Sequence, residues 1–162
     1  MHGATSLTSD QGFGSLVQER DMTWQDHIPL DLQTLFEIYD YKHAAAILAT
    51  EFKAEFEELC TALRAFRIRQ EDILISGGNE SNIPKRMSAL MRGHGWHEGK
   101  LTARMLVDDR EIRHDTHKVD YLKGRVAFDL EWNSKDQTFD RDLFAFRTFH
   151  EFDNISVGVL VT

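Results

Sequence analysis

Residues 117–133, HKVDYLKGRVAFDLEWN, constrain the fold more than any other stretch of the chain. In a strand, alternate residues share a face. Val126, Phe128, Leu130 and Trp132 then form an apolar face, and Ala127, Asp129, Glu131 and Asn133 form the other. Lys123-Gly124 is a turn signal just upstream. The stretch therefore predicts a hairpin whose second strand spans 125–133. With a loop of about four residues, Asp120 lies opposite Asp129, nine positions later in the chain. A second registration sets Asp120 against Glu131. In the first, Asp120, Asp129 and Glu131 meet at one place.

Adjacent ionised carboxylates repel each other and are costly to desolvate. A cation between them removes that problem. Mg²⁺ prefers such oxygen ligands and keeps several of its waters. Lys118 and Lys135 are close enough in sequence to contact phosphate. The bland alternative is a row of acids on a solvated strand face, and the Asp-x8-Asp-x-Glu spacing alone does not exclude it. His114 and His117 supply two zinc ligands with no evident third, so surface histidines are the plainer reading of that pair.

Elsewhere the chain alternates helix and strand signals. Residues 1–24 are rich in Ser, Thr and Gly without periodicity and read as a flexible arm. LFEIYDYK (35–42) alternates and predicts a short strand. His43 to Arg67 predicts helix, with Phe52, Phe56, Leu59, Leu63 and Phe66 on one apolar stripe. That stripe packs on the domain's own sheet or, in part, on a second subunit. EDILISGG (71–78) is a short apolar run closed by two glycines. A further helix is capped by Ser81 or Asn82, carries Pro84 in its first turn and stops at Gly93. Residues 101–109, and 110–120 in part, predict strand. Residues 138–152 predict a helix with Phe139, Leu143, Phe146 and His150 along one side, and ISVGVLVT (155–162) a last strand. This order suggests an α/β fold with a mixed sheet.

The 162 residues amount to one domain, placed at 25–162 beyond the arm. A single cysteine, Cys60, rules out a disulfide framework and a Cys-based zinc site, and fits a reducing, cytoplasmic setting. No apolar run approaches the roughly 20 residues that span a bilayer, and the N-terminus lacks the apolar region of a signal peptide. The net charge of −8 argues mildly against a nucleic-acid partner. A metal-dependent nuclease nevertheless needs acids in its site, and its basic groove can be local.

THKVDYLKGRVAFDLEWNSKDQTFDRDLFAFRTF resembles the catalytic core of type II restriction endonucleases of the BglII and BstYI kind, within the PD-(D/E)XK nucleases. FEIYDYKHAAAILATEFKAEFEELCTALRAF is similar to that family's early strand and long helix pair, so the likeness covers roughly 35–162. It implies a restriction-endonuclease-like core, with a mixed β-sheet flanked by helices. Asp120 matches the first catalytic aspartate and Asp129 the second acid, both metal ligands in the family. Glu131 stands where the pattern has Lys, or Gln in the nearest relatives, and implies a metal-ligating or water-orienting role. The helix opening on Asp142-Leu143-Phe144 follows as in the family. The implied function is Mg²⁺-dependent hydrolysis of phosphodiester bonds in double-stranded DNA at a short palindromic site, by a homodimer. Alternatives are a non-catalytic or incomplete DNA-binding module of the same fold, and a general repair or defence nuclease. Asn133, Ser134 and Lys135 are the expected DNA contacts, with Asn suited to adenine edges and Lys to guanine or phosphate. Lys85, Arg86 and Arg92 are further candidates for phosphate. Relatives continue beyond a strand like 155–162, so the catalytic domain is expected to be short at its C-terminus.

Overall fold

The protein's structure, a computed structural model, describes residues 22–74, 82–132 and 136–162. After a 3-10 turn at Trp24–Asp26, the elements run α1 (Leu30–Leu35), α2 (Ala44–Glu51), α3 (Lys53–Ala65), α4 (Gln70–Leu74) and α5 (Asn82–Arg92). Then come β1 (His97–Val107), β2 (Arg110–Lys123), β3 (Val126–Leu130), α6 (Asp136–Glu151) and β4 (Val157–Val161). The four strands lie in the order β1-β2-β3-β4. The first two pairings are antiparallel and β3 with β4 is parallel, so the sheet is mixed. The β3-to-β4 crossover passes through α6, as a parallel pair requires. This is the α/β, restriction-endonuclease-like arrangement that the sequence implied.

At β3 both sheet faces are covered. On one, Tyr121, Val126, Phe128, Leu130 and Val157 pack with Leu48, Leu59, Phe66, Ile83, Met87 and Met91 of the helical layer. The stripe of α3 thus serves the protein's own core, with Phe52, Phe56 and Leu63 partly buried against it. On the other, Ala127 packs with Phe146, Phe149 and Ile155. All five residues of β3 are buried, between the two packed layers. Gly158 of β4 lets α6 approach: a Cβ there would stand 2.7 Å from Phe146 Cδ2.

Several local expectations change. Residues 35–42 are not a strand: Leu35 ends α1 and 37–41 carry no regular structure. Alternation makes a strand only where another strand offers a ladder, and here Tyr39 and Tyr41 stand exposed. The 43–67 helix is two helices, because the backbone turns out of helical geometry at Phe52 (φ −117°, ψ 50°). Residues 71–74 belong to α4, and 75–81 lie outside the described residues, as do 1–21. Helix α5 has Pro84 in its first turn and ends before Gly93, as expected. Helix α6 is rotated from the expected phase. Leu143 is 54% exposed, and His150 faces solvent, whereas Asp142, Ala145, Phe146 and Phe149 are buried. Close packing on Gly158 selects Phe146 and the residues that share its face.

Candidate active site

The hairpin that carries the acids is tight. Lys123 pairs with Val126, leaving Gly124 and Arg125 as a two-residue turn rather than the looser loop expected. Gly124 has φ +53°, and a first turn position with positive φ is one that glycine occupies without strain. The ladder runs Lys123–Val126, Leu122–Ala127, Tyr121–Phe128. One more step sets Asp120 opposite Asp129, and this is the first of the two registrations.

There the backbone ladder gives way to side chains. The Asp120 N–H donates to Asp129 Oδ1 at 2.5 Å, and the Leu130 N–H lies in hydrogen-bonding position to the Asp120 carboxyl. Beyond it, the Glu131 N–H bonds to the Val161 carbonyl at 2.8 Å, so β3 stays attached to β4 while it parts from β2. The strand pair thus opens with one aspartate on each side of the opening.

Burial dominates the electrostatics. Asp129 is 3% exposed, and its carboxyl is pushed up to about 7. Loss of water is the main cause; the Asp120 N–H opposes it, and the charges of Asp120, Asp142 and Glu131 reinforce it. Asp120 is exposed as a residue, yet neighbouring atoms displace water from its carboxyl and raise it, with Asp142 adding to the effect. Glu131 is half-buried, and its Oε1 lies 3.4 Å from Arg141 Nη2. The structure therefore brings the three expected acids together.

It also adds two residues that sequence reasoning passed over. Asp142 of α6 is 3% exposed; its Oδ1 accepts from Arg141 Nε at 3.0 Å, while its Oδ2 is buried without a hydrogen-bond partner among the described residues. Arg141 links Asp142 to Glu131. A usable signal was present in the sequence. Asp142 stands four and seven residues before Phe146 and Phe149, so an acid interrupts the apolar stripe of a helix.

Other candidates fall elsewhere. Asn133, Ser134 and Lys135 lie outside the described residues. Lys118 is paired with Glu98 at 2.7 Å. Arg86 makes a two-pronged pair with buried Asp72 and so holds α5 to α4 rather than presenting a free phosphate contact. Arg92 lies 6.0 Å from the centre of the Tyr121 ring. His114 and His117 fall within β2, and their side chains are outside the described residues. Among the described residues, no three His, Cys, Asp or Glu side chains form a ready-made metal cage. No helix there is long and apolar enough to cross a membrane.

Comparison with known proteins gives an independent assignment. No curated protein matches the chain. The family model described as restriction endonuclease BglII/BglIII matches residues 36–162, which include every element from α2 to β4 and all of the acids above. The chain belongs to the BglII/BglIII restriction endonuclease family.

Proposed function

We propose that the protein is a Mg²⁺-dependent type II restriction endonuclease, hydrolysing phosphodiester bonds of double-stranded DNA at a short palindromic site. The carrying observation is the meeting of Asp120 and Asp129 where β2 and β3 part, in a chain of a nuclease family. Asp120, Asp129 and Glu131 are its proposed catalytic residues. The acids suit a hard cation. Mg²⁺ is typically held by one or two carboxylates together with waters and substrate phosphate, so it does not require a closed protein cage. The buried Asp129 carboxyl and the buried Asp142 Oδ2, which has no hydrogen-bond partner among the described residues, mark a place short of positive charge. Asp120 and Asp129 would hold the ion. When bound, it polarises the scissile phosphate and lowers the pKa of a water that attacks it.

The chain's own residues prepare this chemistry. The Asp120 N–H fixes the orientation of the Asp129 carboxyl, so little reorganisation is needed on binding. Proton loss from Asp129 near pH 7 makes its negative charge available as pH rises above neutrality. Glu131, which Arg141 contacts in the free protein, helps to place the attacking water. Asn133, Ser134 and Lys135, which follow Glu131 and Trp132 in the sequence, contact the DNA. A homodimer presents two such sites, because a two-fold protein matches a two-fold sequence. In this reading residues 25–162 are one catalytic domain in the cytoplasm and 1–24 an arm.

Incubation with linear DNA of known sequence, in Mg²⁺ and in EDTA, tests the proposal. Discrete fragments in Mg²⁺ alone are expected. A smear would make the protein a general nuclease, and a gel shift without cutting would make it a binding module. Either result overturns the proposal.

A further inference from the structure

We propose that Arg141 is the phosphate-binding cation of this site: Asp142 anchors its guanidinium on α6, and its outer end exchanges Glu131 for a phosphate oxygen of the bound DNA. The inference rests on the nuclease reading above and assigns a further catalytic residue to it.

The charge balance favours such a cation. Asp120, Asp129, Glu131 and Asp142 crowd one end of the sheet, more acids than one divalent ion held by Asp120 and Asp129 offsets, so an approaching phosphodiester anion gains from further positive charge among them. Arg141 is placed to supply it. It bonds to Asp142 and Glu131, and its charge is felt at Asp120 and Asp129 as well. Three nearby cations are engaged elsewhere: Lys118 with Glu98, Lys123 with Glu58, Arg125 with Asp153.

The geometry then separates an anchored end from an exchangeable one. The Nε bond reaches an acid whose side chain is 4% exposed, at 3.0 Å. The Nη2 contact with Glu131 is longer, 3.4 Å, and Nη1 has no hydrogen-bond partner among the described residues. The Arg141 side chain is 43% exposed, so its outer end is open to an arriving anion. A guanidinium fork can keep one partner and grip a phosphate with its remaining N–H groups, which an ammonium does less well. Asp142 itself supports the assignment. A buried carboxylate with one orphaned oxygen, inside an apolar helix stripe, burdens the fold unless it serves something else. Holding Arg141 is such a service.

Two readouts test this, with Arg141→Gln, Arg141→Lys and the double variant Arg141→Gln/Asp142→Asn. The double variant removes the buried charge together with its partner and so guards against simple misfolding. Affinity for a short fluorescent DNA duplex is measured against salt, with Ca²⁺ replacing Mg²⁺ to slow cleavage. Plasmid cleavage in Mg²⁺ is measured in parallel. Each phosphate contact contributes about 0.9 to the slope of log affinity against log salt. Arg141→Gln should lower the slope by about that amount per subunit and slow cleavage by a factor on the order of 100. Arg141→Lys should keep the slope and recover part of the rate, and the double variant should behave as Arg141→Gln. Unchanged slope and cleavage in Arg141→Gln, while the wild type cuts, overturn the proposal and leave the nuclease reading standing. A lowered slope with full cleavage places the contact away from the scissile phosphate and also overturns it. Recovery of both readouts in the double variant reduces Arg141 to a partner for Asp142, again against the proposal. A wild type that binds but never cuts, with the slope lowered in Arg141→Gln, keeps the phosphate contact and removes the nuclease reading.

Discussion

Replacing Asp129 with asparagine should stabilise the metal-free protein above neutral pH while abolishing its activity. The carboxyl is held at about 7 in the fold against an ordinary 3.8. Between those pH values the folded protein keeps a proton that the unfolded chain has released. This contribution is therefore most favourable at low pH, and stability falls as pH rises through that window. One pKa unit corresponds to about 1.4 kcal/mol, so the ionised, buried Asp129 burdens the fold by on the order of 4 kcal/mol at pH 8. Asparagine keeps the shape and can still accept the Asp120 N–H, but it carries no charge. For a chain of this size 1 kcal/mol moves the melting temperature by roughly 2–4 °C, which sets an upper bound of roughly 8–16 °C on the gain at pH 8. Water entry and the shared charge of Asp120 and Asp142 reduce it. At pH 5 Asp129 is already protonated in the fold, and the gain should shrink towards that of a neutral swap. Thermal unfolding of both proteins in EDTA at pH 5 and pH 8 measures the difference. An equal shift at both values, or a loss at pH 8, would refute the reasoning. Stability and activity moving in opposite directions is what a functional acid in a dry pocket implies.

Other substitutions probe how the site is positioned. Gly158→Ala sets a methyl group against the Phe146 ring, and overpacking of this kind costs about 1–3 kcal/mol. Chemical denaturation should show the loss, and cleavage should fall with it because α6 carries Arg141 and Asp142. Asp72, whose carboxyl the Arg86 guanidinium holds down at about 2, stabilises the fold above its ordinary value of 3.8, and that contribution fades as pH falls through about 2. Asp72→Asn should therefore lower the melting temperature at pH 7, with the gap closing towards pH 2. The Cys60 thiol is buried, and loss of water pushes it up to about 11. A thiol reagent at pH 8 should label it only on unfolding, and rapid labelling of the native protein would contradict the packing of α3.

What the sequence made legible was mostly local. The Lys123-Gly124 turn and the alternation after it fix the hairpin register within a few residues, so the meeting of Asp120 and Asp129 was one of two registrations that the spacing left open. Helix α5 was readable for the same reason, since Pro84 and Gly93 punctuate it directly. The misreadings all depend on distant partners. Residues 35–42 alternate like a strand but have no ladder to join. The phase of α6 is set by Phe146 closing on Gly158, a contact invisible in a helical wheel whose aromatic residues crowd several faces. That one-residue error in phase hid Asp142, which belongs with Phe146 and Phe149 on the buried side. It also hid what Glu131 meets, because Arg141 reaches it from α6. Alternation showed only one apolar face of β3 and left a solvated acid face as the alternative, whereas α6 and the strand's own Ala127 close the other face.

Whether Asp120 and Asp129 together make a nuclease site is tested most directly by cleavage of supercoiled plasmid in Mg²⁺ by the wild type, Asp120→Ala and Asp129→Asn. Linear product is expected from the wild type and none in EDTA. Both variants should lose at least about a thousandfold in rate while remaining folded by circular dichroism. Wild-type rates of cutting in either variant would contradict the assignment.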